Sequence, residues 1–264
     1  MKIAWLTDPH LNFASIPRAE ALMAEVRQWG AGALVVTGDI GEAPDLEGWL
    51  ELMRARAGAP VYFVLGNHDY YRSSIGAVRA QVRQQCAGVE GLVWLSESEP
   101  IALTKTVGLV GHDGWGDARC GDFEHSRIFL SDFTAIDDLR LSDRAELKRT
   151  LEALGDEAAE HLRRACEDAL RRFEHVLVAT HVPPFVEAAW YEGTQSDEQW
   201  SPFFVCEAAG RALREVMARH PARRMTVLCG HTHSGGDAWV APNIHVRTGA
   251  AVYRKPALQA PLWV

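Results

Sequence analysis

The sequence predicts an α/β fold built on parallel strands, and three observations carry that prediction. Short apolar runs rich in β-branched and aromatic residues recur at Lys2–Thr7, Ala33–Thr37, Val61–Leu65, Val176–Thr180 and Met225–Cys229. They are too short for free-standing helices and read as buried strands. Amphipathic stretches separate the first three, and strand–helix–strand alternation implies parallel pairing with right-handed crossovers. Each run stops at a turn bearing a carboxylate, an imidazole or an amide, which is where an open α/β sheet presents its chemistry.

The elements follow in order. The first run ends at Asp8-Pro9-His10, where Pro9 has no N–H to continue a ladder. Pro17 to Trp29 reads as a helix with Pro17 in its first turn and Leu22, Val26 and Trp29 on one face. Ala33–Thr37 runs into Gly38-Asp39, and Pro44 opens a helix reaching about Arg56. Val61–Leu65 stops at Gly66-Asn67-His68-Asp69, three polar side chains in a row that core packing does not ask for. Ile75 to Cys86 is a third helix. Leu92–Leu95, Ile101–Thr104 and Val107–Val110 have no helices between them and read as a meander in a second sheet or at its edge.

Gly111 to Asp117 then offers His112, Asp113 and Trp115, as a pocket wall or as a packed hairpin loop. Residues 118–140 have no clean periodicity. Asp143 with Glu146 is a capping-box signature and opens a helix with Leu147, Leu151 and Leu154 inward. Gly155-Asp156 is expected to break it and cap a second helix. Val176–Thr180 ends at His181, and an aromatic segment follows with Phe185, Trp190, Tyr191, Trp200, Phe203 and Phe204. That segment reads as a lid that stacks a base or as a dimer contact, or else as aromatic residues sealing the core. After a helix over Glu207–Arg219, Met225–Cys229 ends in Gly230-His231-Thr232-His233, and Ala238–Val252 reads as a hairpin around Pro242-Asn243. With no repeat, low-complexity tract or linker, residues 1–264 are expected to form one domain, with insertions at about 112–142 and 185–205.

Composition narrows the function. A net charge of −8 argues against a generic nucleic-acid binder, which needs concentrated Lys and Arg. Five scattered cysteines, never in a C-x-x-C spacing, fit free thiols in a reducing compartment. The apolar N-terminus meets Asp8 too soon for a signal peptide, and no stretch is long enough to span a bilayer, so the expected location is the cytoplasm.

Taken singly, a histidine after a strand is usually a hydrogen-bonded turn residue, and an aspartate a cap. Five strands ending in Asp8/His10, Asp39, Asn67/His68, His181 and His231/His233 are a different matter. Carboxylates, imidazoles and one amide, with no thiolate, suit Mn, Fe, Co or Zn. Such a set exceeds what one catalytic ion with open positions needs, and suits two ions sharing a carboxylate and clamping a phosphate-like group.

Asp8-Pro9-His10, Gly38-Asp39, Gly66-Asn67-His68-Asp69, His181 and Gly230-His231-Thr232-His233, in that order over essentially the whole chain, resemble the calcineurin-like metallophosphoesterases. The resemblance implies a four-layer α/β/β/α sandwich of two mixed sheets flanked by helices. It assigns Asp8, His10 and His233 to one metal, Asn67, His181 and His231 to the other, and Asp39 to the bridge between them. His68 would contact the phosphate and help protonate the leaving oxygen, with Asp69 fixing the tautomer of its ring. The implied reaction is in-line attack by a metal-bridging hydroxide on a small phosphodiester or phosphomonoester. A nucleotide pyrophosphatase or nuclease of the same superfamily, or a catalytically silent scaffold, is the alternative. Ile40-Gly41-Glu42 stands where the protein Ser/Thr phosphatases continue Asp-Arg-Gly, and Asp69 where they carry Glu, so a protein phosphatase is not expected. His112 and His125 are weaker ligand candidates, and His161, His175, His220 and His245 read as structural or surface residues.

Overall fold

The computed structural model describes residues 1–264. Strands and helices alternate through β1 (Lys2–Leu6), α1 (Ile16–Gln28), β2 (Ala33–Thr37), α2 (Leu46–Arg56), β3 (Val61–Val64), α3 (Ile75–Cys86) and β4 (Leu92–Trp94). There follow β5 (Ile101–Ala102), β6 (Val107–His112), α4 (Asp132–Ala135), α5 (Arg144–Arg172) and β7 (His175–Thr180). The chain continues through the small hairpin β8 (Trp190–Tyr191) and β9 (Thr194–Gln195), then α6 (Ser201–Phe204) and α7 (Glu207–Ala218). It closes with β10 (Arg224–Cys229), β11 (Gly236–Ala241), β12 (Ile244–Thr248) and β13 (Leu262–Trp263).

Two mixed sheets result, ordered β13-β1-β2-β3-β4 and β11-β12-β10-β7-β6-β5. β1 to β4 are parallel with β13 antiparallel at the edge, and β6, β7, β10 and β12 are parallel with β5 and β11 antiparallel at the edges. Alternation of side chains sets the layers. Ala4, Leu6, Val36 and Phe63 pack against Leu22, Met23, Leu50 and Val82 of the first three helices. Ile3, Trp5, Val35 and Val64 turn the other way and meet Leu109, Leu177, Ala179 and Leu228 of the second sheet. Val178 and Val227 in turn face Leu162, Leu170, Leu213 and Val216 of α5 and α7. This is the four-layer sandwich. The strands of both sheets that carry polar termini deliver them to one edge.

Two expectations are corrected. Leu92–Trp94 belongs to the first sheet, because α3 is a crossover that returns β4 parallel to β3; the meander shrinks to the antiparallel pair of β5 and β6. Gly155 does not break a helix: α5 runs unbroken for 29 residues, capped by Asp143, whose carboxylate accepts from the Ala145 and Glu146 amides. A Cβ at Gly155 would stand 2.5 Å from the Asp117 Cβ. The glycine lets α5 pass close to the 112–142 segment, and a long packed helix absorbs its cost of about 1 kcal/mol. No helix is long and apolar enough to cross a membrane.

Candidate metal centre

The backbone marks the site before any side chain does. Asp8 (φ 45°), His10 (41°), Asp39 (52°), His231 (70°) and His233 (59°) all occupy the left-handed region. That conformation costs an ordinary residue roughly 1–2 kcal/mol, and its concentration in one place points to function. The loops after β1 and β2 hold each other in it, with the Asp8 amide donating to the Gly38 carbonyl at 3.1 Å and His10 to Asp39 at 2.9 Å. The glycines before Asn67 and His231 are there for close approach. A Cβ on Gly66 would lie 2.2 Å from Asp39 Oδ1, and one on Gly230 2.0 Å from Asp8 Oδ2.

Two groups of ligand atoms converge at this edge. In the first, one atom each from Asp8, His10, Asp39 and His233 lies within 4.8 Å of all the others. His10 Nε2 and His233 Nε2 are 3.0 Å apart, with Asp39 Oδ2 3.6 Å from His10 and Asp8 Oδ1 3.5 Å from His233. In the second, Asn67 Oδ1 lies 3.0 Å from both His181 Nε2 and His231 Nδ1, and those nitrogens are 3.2 Å apart. Asp39 Oδ1 is 3.4 Å from His181 Nε2, so its two oxygens face different groups.

The second group can be tested for its protons. His181 Nδ1 must donate to the Thr37 carbonyl at 2.9 Å, because a carbonyl only accepts; Nε2 then carries a lone pair. His231 Nε2 likewise donates to the Phe203 carbonyl at 3.1 Å, leaving Nδ1 with a lone pair. Asn67 Nδ2 donates to Asp132 Oδ1 at 2.8 Å, which turns Oδ1 toward the two rings. Three acceptor atoms thus face one another with no proton between them. Such a set repels itself unless a cation sits among it, so the residues fit a metal ion.

The profile of the calcineurin-like phosphoesterases matches residues 1–235. The chain belongs to that family. It is a phosphoric ester hydrolase, and the family depends on a dinuclear metal centre. A search of curated proteins found no match. Among solved structures, the fold is shared with the phosphopantetheinyl hydrolase of Mycobacterium tuberculosis at 14% identity and TM-score 0.70, covering 96% of this chain and 90% of that one. It is shared with a dimetal phosphatase of Danio rerio at 17% identity and TM-score 0.59, covering 96% and 88%. A protein of Thermus thermophilus, at 14% identity and TM-score 0.54, covers 94% and 89%.

Burial dominates the electrostatics of this phosphoesterase's site. Burial, then the neighbouring His68, pushes His10 down to about 2; burial, then His181, pushes His68 and His231 down to about 3. Neutral imidazoles are the form that binds metal. Burial raises Asp8, but the hydrogen bond from His233 and the surrounding imidazoles outweigh it and hold the carboxyl well below its usual range. Asp39 is pushed up, first by burial and then by Asp8.

The remaining candidates separate. His68 lines the cavity over the site, its ring stacked on Tyr71 at 4.2 Å and edge-on to His10 at 4.7 Å. Asp69 does not reach the His68 ring. Its oxygens accept from the amides of Ile40, Gly41 and Gly66, each at 2.8 Å, so it holds the Asp39 loop against the Asn-His-Asp turn. The tautomer role expected of Asp69 is therefore not what its geometry supports. His112 is buried beside His161 and His125 is exposed beside Asp122; neither joins a ligand group. Asp113 is a structural hub that accepts from the Leu65 amide, Tyr70, Trp94 and Ser96. Phe185, Phe203 and Phe204 are buried.

Two residues escaped sequence reasoning. Asp132, 3% exposed, accepts from Asn67 and from the Tyr71 hydroxyl (2.7 Å) on a single oxygen, and so fixes both a ligand amide and the ring beneath His68. Tyr253 packs on His10 at 4.5 Å and His233 at 4.9 Å.

Proposed function

We propose that this chain hydrolyses a small phosphate ester, either a diester or a monoester, with two transition-metal ions drawn from Mn, Fe, Zn and Co. The observation that carries the reading is the pair of ligand groups divided by Asp39, whose oxygens face one group each. Asp8, His10 and His233 would hold one ion and Asn67, His181 and His231 the other. Bound there, the ions supply a water acidified toward neutrality and charge neutralisation on the phosphoryl oxygens. His68 sits at the cavity with its ring held by Tyr71; a phosphoryl anion beside it raises its proton affinity, so it stabilises that anion and delivers a proton to the leaving oxygen. Asp69 acts one step away, by holding the Asp39 loop. We read residues 1–264 as one functional unit, because Asp132 and Phe204 reach the site from the two inserted segments. Five free cysteines, three of them buried, favour a reducing compartment such as the cytoplasm.

The test is hydrolysis of bis-p-nitrophenyl phosphate against p-nitrophenyl phosphate by metal-stripped protein to which Mn, Zn, Fe or Co is restored singly. Metal-dependent cleavage of either ester supports the reading, and the preference between them assigns diester or monoester. No cleavage by protein shown to hold two ions would favour the silent scaffold.

A further inference from the structure

Beyond the ligand atoms, the cavity over the metal centre is walled largely by aromatic side chains. Its volume is about 270 Å³, and it is open to solvent. Tyr191, Trp200 and Phe204 form one wall, with Trp200 and Phe204 stacked at 4.9 Å and Tyr191 packed on both at 4.8 and 5.3 Å. Phe204 also meets the ligand His231 edge-on at 5.2 Å, so this wall begins where the metal centre ends. Tyr71 and Tyr253 supply further aromatic lining beside His68 and His10. No Lys or Arg lines the cavity, and its ionisable residues other than histidine and tyrosine are the carboxylates Asp39 and Asp132.

Resting on the phosphoesterase reading above, we propose that this cavity is a subsite for a planar, uncharged aromatic group esterified to the scissile phosphate. Aromatic walls stack a flat ring. A second phosphate would find no cationic partner among these residues, which disfavours pyrophosphates and polyphosphates. Benzene fits a cavity of roughly 150 Å³, so there is room for one ring system beside a phosphoryl group. A nucleobase and a simple aryl ring share this chemistry.

Three phosphodiesters with the same non-aromatic leaving group, hexafluoroisopropanol, but a thymidine, phenyl or ethyl second ester test it on the metal-loaded full chain, with release of the alcohol followed by fluorine NMR. The thymidine or phenyl ester should exceed the ethyl ester about tenfold in kcat/KM, and Trp200→Ala should bring that ratio close to one. Preference for thymidine over phenyl assigns a nucleobase; the reverse assigns an aryl ring. Equal use of all three by the wild type, or a ratio that survives Trp200→Ala, overturns the subsite while leaving the hydrolase intact. If no diester is cleaved, calorimetric binding of phenylphosphonate against methylphosphonate decides: tighter binding of the phenyl compound, weakened by Trp200→Ala, supports the subsite, and equal affinity overturns it.

Discussion

The two ligand groups beside Asp39 are built differently. His181 and His231 are locked by ring N–H bonds to the carbonyls of Thr37 and Phe203, and Asn67 is locked by Asp132. In the Asp8, His10 and His233 group only the carboxylate is held from outside, accepting from the Thr7 hydroxyl and from the His231 amide at 3.0 Å, while the buried Nδ1 of His10 has no protein partner. One group is preorganised by hydrogen bonds from three other segments of the chain. In the other, the two imidazoles contact one another and the carboxylates and have no such outer hydrogen bond. Outer hydrogen bonds fix ring orientation and typically change metal affinity 10–100-fold, so the difference is functional.

Three substitutions test that contrast, in descending size of effect. Asp39→Asn removes the carboxylate that both groups share and should lower turnover by about 10⁴-fold, with metal content falling below two ions per chain by elemental analysis. Full metal content in this variant would separate the groups from Asp39 altogether. His68→Ala lies outside both groups; it should keep both ions and lower kcat by about 10²–10⁴-fold. Normal turnover would remove His68 from the mechanism. Asp132→Ala should strike one group only: the affinity of a single ion falls about 10–100-fold while the other is retained, read by competition with a metal-sensitive dye. Equal weakening of both ions would show that the two groups are supported alike.

The strand ends were legible because a buried parallel strand has no use for a polar terminus, so five apolar runs stopping at His, Asp or Asn stand out without any structure. Asp132 was not legible. It meets Asn67 across 65 residues of sequence, inside a segment with no periodicity, and nothing local distinguishes it from a capping aspartate. Asp69 misled for the opposite reason: it is next to His68 in sequence, yet the tight turn at Asn67–Tyr70 aims its carboxylate at the amides of the neighbouring loop. Gly155 misled because a helix-breaking propensity of about 1 kcal/mol is small against the packing of a long helix on its neighbours.

The left-handed backbone at five of the ligand positions has a consequence for how this site should be dissected. Asparagine and aspartate visit positive φ readily, whereas alanine pays up to about 1 kcal/mol more there. An alanine scan would therefore mix loop destabilisation with ligand loss at Asp8, His10, Asp39, His231 and His233, but not at Asn67, His68 or His181, whose φ values are negative. Asparagine is the fair replacement at the first five and alanine at the last three. The melting temperature of each metal-free variant shows whether the backbone or the ligand has been probed.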